Sequence, residues 1–480
     1  MIFWLGQDIT AQTLRDALRY SNLQHGGTAR LMSTGGALSA LGGDFGSLSI
    51  NPAGVATYRK SILQITPSLN FINTESSFAN NTIDETEPNF NLNSVGMVFA
   101  KVNREKESNW KTANFAIGMN RTNIFAQNVF FQGTNEGTIQ ERWLQFAQGV
   151  LPENLYAFEE GIAYDANILF NPDPNEPTVY DSDLFGTDRI QKEQTITRSG
   201  SITDVAVAFG GSYKHKLYIG VGLGLPIVNF DEVKSYTETD VENVSPFFDN
   251  MTYTEDLATD GVGINLKLGI IYRISQALRV GATVHSPTYF ALSDNFSTSV
   301  TSNLTINNAP ESYSADSPVS NFNYQLVTPW RASGSLAYIF GRSGFITGEI
   351  EYVTYNSANF SINDDPTFEQ DLNDEISTSL TEAINFRVGG EMIFGKVAVR
   401  GGYGVNLSPY DSTVDAENEV IQTISIGIGL RTKRFFIDAG YSRAMYLEEY
   451  QPYTANSTNV VRVINDVTRN RLIATVGFRF

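Results

Sequence analysis

The sequence predicts an all-β fold: a transmembrane antiparallel β-barrel of about fourteen strands with an amino-terminal plug in its lumen. Three observations predict it. From Lys60 to Phe480 apolar and polar residues alternate in about fourteen segments, the connections between segments are by turns very short and very long, and no run of roughly 18 apolar residues offers a membrane helix. A propeller would instead repeat a motif every roughly 40 to 50 residues, and no such repeat occurs.

Seven strands are expected at 62–72, 91–101, 111–122, 201–213, 216–226, 262–273 and 277–286. Seven more fall at 330–340, 344–355, 383–394, 396–405, 421–431, 434–443 and 470–480. Each meets the roughly 9 to 11 tilted residues needed to cross a bilayer. Lys214-His215, Ile274-Ser275-Gln276, Gly341-Arg342-Ser343, the lone Gly395 and Thr432-Lys433 make tight turns at one end, against long polar loops at the other. Bacterial barrels have this asymmetry.

Strand side chains alternate with period two, and only the lipid face needs unbroken apolarity. That rule sends Ile264, Leu266, Leu268 and Ile270 outward, with Ile384, Phe386 and Val388, then Ile424, Ile426, Ile428 and Leu430, then Phe435, Ile437, Ala439 and Tyr441. Lys267, Arg273, Glu349, Glu351, Arg387, Glu391, Arg400 and Asp438 fall inward, where a charge escapes the roughly 2 to 4 kcal/mol that lipid at mid-depth would cost it. These charges read as cross-strand ion pairs, not acid/base machinery. In the last strand Leu472, Ala474, Val476, Phe478 and Phe480 face lipid, and Phe478 and Phe480 read as a carboxy-terminal signal for the barrel-assembly machinery.

The formal charge of −19 repels phosphate backbones, which excludes nucleic-acid partners. Acidic residues gather in the expected loops at 153–193, 231–255 and 364–382. Cysteine is absent, so there is no disulfide, thiolate metal site or cysteine nucleophile. His25, His215 and His285 are too dispersed for a catalytic triad, and no enzyme activity is expected. His25 or His285 could ligate haem, but a lone histidine reads first as structural, and no cofactor is assigned. The Asn363-Asp364-Asp365 cluster with Asp371 lacks calcium-loop spacing.

Three regions follow. Residues 1–11 carry Ile2-Phe3-Trp4-Leu5, shorter than a signal core of roughly 7 to 15 residues, and read as the remnant of a secretion signal cleaved after Ala11. Residues 12–60 hold Gly26-Gly27, Gly35-Gly36, Gly42-Gly43 and Gly46 among small side chains, which suits compact irregular backbone filling a lumen. Residues 61–480 form the barrel.

The Gly-Gly-Thr-Ala-Arg run from Gly26 to Arg30, then Gly35-Gly36-Ala37, Leu41-Gly42-Gly43-Asp44 and Asn51-Pro52-Ala53, resembles the plug of the long-chain fatty-acid transporter (FadL/TodX-like) family of outer-membrane channels. The resemblance implies a monomeric barrel in the bacterial outer membrane, surrounded by its lipids, that passively takes up small hydrophobic molecules. Asn51, Pro52 and Ala53 would be the plug motif. Release in that family passes a lateral opening made by a kink in the third strand, for which Gly118 is the candidate here. Trp143, Leu144, Phe146, Val150 and Leu151, on a stretch with helical spacing ended by Pro152, would offer an extracellular apolar groove. The alternative is a scaffold that binds a protein partner in secretion or surface attachment.

Overall fold

In a computed structural model the alternating segments close into one barrel; residues 13–24, 26–105, 107–363, 365–412, 414, 419–455 and 461–480 are described. The signal remnant, His25 and Asp364 lie outside the described residues.

The wall has fourteen antiparallel strands. They are β1 (Ile62–Phe78), β2 (Asn81–Val102), β3 (Trp110–Ile124), β4 (Arg189–Tyr213), β5 (Leu217–Thr239) and β6 (Phe248–Arg273). Four strands are interrupted: β3 resumes as Gln127–Glu136, and the others are β7 (Leu278–His285 and Tyr289–Ile306), β8 (Ala309–Asp316, Ser320–Val327 and Arg331–Ile339) and β9 (Gly344–Thr354 and Asn359–Ser361). Then come β10 (Glu382–Phe394), β11 (Val397–Asn406), β12 (Ile421–Arg431), β13 (Phe435–Tyr450) and β14 (Val463–Arg479). β14 returns to β1, pairing Arg479 with Ile62 and Leu472 with Leu69, so no edge stays open.

The tight turns have the backbone they need. Lys214 (φ 52°) and His215 (φ 55°) are both left-handed, as a two-residue type I′ hairpin requires. The faces follow the period-two rule: Ile264, Leu266, Leu268 and Ile270 are between 43 and 51 % exposed, while Lys267, Arg387, Glu391, Arg400 and Asp438 are buried.

Strand ends differ from the sequence expectation. The acidic stretch 231–255 forms the tops of β5 and β6 instead of a loop, with Lys234 opposite Glu255 and Thr237 opposite Thr252. Above the bilayer neither face of a strand must be apolar, so the alternation that reveals a strand is lost there. The stretch 364–382 contains a helix (Pro366–Ser379) whose Asp365 side chain accepts from Thr367 N and Phe368 N.

Residues 13–60 fill the lumen with α1 (Leu14–Ser21), α2 (Ala29–Ser33), α3 (Ser47–Ile50) and a 3₁₀ helix (Pro52–Thr57). Above them the long loops pack a layer of their own around the fully buried Trp143, which meets Tyr253 edge to face at 5.4 Å.

Candidate functional site: the plug seat and the chamber above it

The plug touches the wall through glycines. On the inward face Gly96, Gly118, Gly210, Gly220, Gly269, Gly281, Gly389, Gly402, Gly427 and Gly440 each approach a plug residue so closely that a Cβ would meet it at 3.0 Å or less. At Gly220 that Cβ would lie 2.2 Å from the carbonyl carbon of Pro52; at Gly269 it would lie 2.0 Å from Oδ1 of Asn51. Asn51-Pro52-Ala53 therefore sits in a notch in β5 and β6. Asn51 Nδ2 donates to the carbonyls of Ser39 (2.8 Å) and Ile270 (3.3 Å), while its Oδ1 accepts from Ala53 N and starts the 3₁₀ helix.

Charge fixes the opposite side. Arg30 of α2 reaches Glu391 at 3.1 Å, and the same carboxylate meets Arg400 (2.7 Å) and Arg431 (2.9 Å), with Asp438 on Arg400 at 2.7 Å. Three guanidiniums on one buried carboxylate make a specific seat. Arg30, Arg400 and Arg431 all reach Oε2 of Glu391 and Arg30 also Oε1, which offsets part of the cost of taking these charges out of water.

Gly118 does not bend the third strand. It pairs regularly with Gly96 and Ala206, and with Gly96 makes the niche that takes the Phe45 ring of the plug. The irregularity lies higher: the β3 register against β4 slips between Arg121 and Asn123, and β2 and β3 pair only up to Ser94 and Asn120. Gly26 is pressed against the Arg121 carbonyl there, so the plug rests on the bulge. Beyond it the β2–β3 ladder stops, leaving a gap in the ladder bordered by Asn91, Asn93 and Arg121; Arg121 Nη1 donates to Asn91 Oδ1, and Asn93 Nδ2 to Gly27 O. The missing sequence signal is plain: a bulge needs an extra residue in the ladder, not a glycine.

In the loop layer, Ile139–Ala147 forms the expected helix, with Thr138 as its cap and Glu238 accepting from both Thr138 Oγ1 and Ile139 N. Trp143 turns into the layer's core, and Leu144 and Val150 pack against it. Phe146 lies under the Arg142 guanidinium at 4.7 Å, and Leu151 is exposed. The run thus serves the core of the loop layer more than a surface groove. Beside it burial pushes Glu159 up to about 7, although Arg142 at 2.9 Å pulls it back.

Between loop layer and plug lies a chamber of about 290 Å³. Phe125, Phe230, Tyr355, Tyr410 and Tyr446 give it aromatic walls, and six arginines face it: Arg15, Arg19, Arg198, Arg387, Arg469 and Arg471. Arg19 holds Asp16, Arg198 holds Glu232 at 2.5 Å, and Arg387 holds Glu351 at 2.8 Å; Arg15 lies 3.9 Å from Glu448. Among the described residues Arg469 and Arg471 have no carboxylate within 4.0 Å. Arg471 donates to Asn70 Oδ1 (2.7 Å) and Gln24 Oε1 (2.9 Å). Arg469 lies over the Tyr446 ring at 5.4 Å with its buried Nε unpaired. Sequence reading missed this pair, though period two from Leu472 puts Arg469 and Arg471 inward together.

His285 Nε2 lies 3.0 Å from the Ile50 carbonyl, which can only accept, so that nitrogen carries the proton and has no lone pair for iron. His215 sits in the tight turn between β4 and β5.

These features define a class: a transmembrane β-barrel of the outer-membrane type, closed by a seated plug and holding a chamber above it. Solved structures of that class resemble the chain along nearly its whole length. A Pseudomonas aeruginosa FadL homologue is 11 % identical, covers 96 % of this chain and 99 % of its own, and has a TM-score of 0.54. The P. putida toluene transporter TodX is 11 % identical, covers 95 % and 99 %, and has a TM-score of 0.51. No family model and no curated protein sequence matches the chain. The likeness establishes the FadL-like plugged-barrel fold.

Proposed function

We propose that the chain is a bacterial outer-membrane channel for the passive uptake of hydrophobic compounds, and that its substrates are amphiphiles with an anionic head, of which long-chain fatty acids are the type. The carrying observation is the chamber above the plug, with aromatic walls and two guanidiniums, Arg469 and Arg471, that make no direct ion pair among the described residues, with Glu419 and Glu448 elsewhere in the lining. Removing an acyl tail from water gains about 25 cal/mol per Å² of apolar surface, and the head would give Arg469 and Arg471 the direct ion pair they lack. No energy coupling is needed. A neutral hydrocarbon such as toluene, the cargo named for the P. putida relative, would use the walls but leave the arginines unanswered.

In this reading the ligand passes from the loop layer to the chamber, then out through the gap between β2 and β3 beside Arg121, while the plug keeps the lumen closed to water. Native mass spectrometry of the protein from outer membrane tests it: a monomer retaining fatty acid supports uptake. An empty chamber with a stoichiometric protein partner would replace it by the scaffold reading.

Phe478 and Phe480 stack at the lipid face with centroids 6.4 Å apart, and Phe480 N donates to Ser61 O across the seam that closes the barrel. We assign them to recognition by the barrel-assembly machinery. Deleting Phe480 is expected to leave much of the protein uninserted, seen as loss of the heat-modifiable folded band; an undiminished band would remove the assignment.

A further inference from the structure

A second weak line crosses the wall far from the β2–β3 gap. Pro226, Pro287 and Pro329 stand on β5, in the break of β7 and in the second break of β8, and none has an N–H to give to a ladder. The β5–β6 register skips from Gly224 opposite Asn265 to Ile227 opposite Val262. The β6–β7 register skips from Lys267 opposite His285 to Ile264 opposite Tyr289. The β7–β8 register likewise jumps from His285 opposite Arg331 to Tyr289 opposite Val327.

Side-chain hydroxyls replace much of the missing ladder. Leu266 N donates to Ser286 Oγ (2.9 Å), Thr288 N to Thr328 Oγ1 (2.9 Å) and Asn265 Nδ2 to Thr288 Oγ1 (3.0 Å). Hydroxyls rotate and find new partners, whereas a backbone ladder must break as a unit, so this line opens more cheaply than the wall on either side. Its outer face carries the exposed Leu225, Leu266, Val284 and Trp330, which places it within the apolar band. Directly behind it is a second cavity, lined by Asn265, Ser286, Thr288 and Thr328 of the seam and by the ion pairs of Lys267 with Asp204 and of Arg331 with Glu351. Tyr20 of α1 lines this cavity and Leu18 the main chamber, so α1 stands between the two, while Gln24 borders both.

We infer that this proline line is a second lateral port, through which an amphiphile's tail enters the membrane while its polar head stays among the Ser286, Thr288 and Thr328 hydroxyls and the Asn265 amide. The inference rests on the channel reading above. A polar inner mouth rich in hydroxyls and an apolar outer rim match the two ends of such a molecule.

The chain has no cysteine, so a designed disulfide is clean. Thr288 and Thr328 face each other across the line, Thr328 N donating to Thr288 O (3.0 Å) and Thr288 N to Thr328 Oγ1 (2.9 Å), in the register that pairs His285 with Arg331 and Tyr289 with Val327, which sets them side by side as a disulfide requires. In Thr288→Cys/Thr328→Cys the same molecules are assayed oxidised and reduced for uptake of radiolabelled oleate, beside Asn93→Cys/Arg121→Cys, one step beyond the last β2–β3 pair of Ser94 with Asn120, which clamps the gap. Two parallel exits predict that each oxidised clamp slows uptake about twofold, reversibly by reductant, and that both clamps together abolish it. Oxidation that leaves the rate unchanged, with the disulfide verified by mass, overturns the port. If the reduced variants and the unmodified protein all fail to exceed cells lacking the protein, the channel reading has failed instead.

Discussion

Gly220→Val is expected to leave the barrel assembled and unseat the plug. The new Cβ would fall 2.2 Å from the Pro52 carbonyl carbon and 2.3 Å from Ala53 N. These are backbone atoms and cannot rotate away as a side chain's end could. β5 is held by ladders to β4 and β6 along most of its length, so the strain goes to the plug, which meets the wall through point contacts. Overpacking typically costs about 1 to 3 kcal/mol, enough to shift the seated-to-unseated ratio roughly tenfold or more. The measurement is influx of a hydrophilic antibiotic, with the heat-modifiable band as the check on barrel folding. Gly334→Val is the control, because nothing lies within 4 Å of its Cβ. Equal influx in the two variants would mean that the glycine ring does not hold the plug or that the plug does not seal.

The ring explains why part of this architecture was legible and part was not. Where lipid imposes its rule, as on Ile424, Ile426 and Ile428, the alternation survives in the sequence, and the faces follow from it. Where strands leave the bilayer, as β6 does above Asp260, the rule lapses and the residues look like loop. The plug seat was in view but unread. The pairs Gly210 and Gly220, Gly269 and Gly281, Gly389 and Gly402, and Gly427 and Gly440 each flank a tight turn, all on the inward face. Such spacing has meaning only if something fills the lumen at that height, and the glycine-rich segment 26–54 is what fills it. The third-strand irregularity was illegible for a different reason. Gly118 offered a weak residue, but the slip depends on how many residues β3 and β4 contribute to one ladder, which neither strand reveals alone.

Replacing Arg469 and Arg471 together by methionine should separate anionic from neutral ligands. Hydrogen bonds to a charged group contribute about 1.5 to 3 kcal/mol each, so losing both should weaken oleate binding by at least about tenfold. Naphthalene, which has no head to lose, should bind the aromatic walls unchanged. Stability moves the other way: a buried guanidinium without a carboxylate is costly, and Met keeps the length of the apolar stem, so the ligand-free variant should unfold at the same temperature or higher. Calorimetric titration in nanodiscs and a thermal melt read both quantities on one preparation. If the two arginines only brace β14 against Asn70 and Gln24, the melt falls and both ligands weaken together. That outcome would withdraw the anionic head from the proposed substrate and leave a channel for neutral compounds.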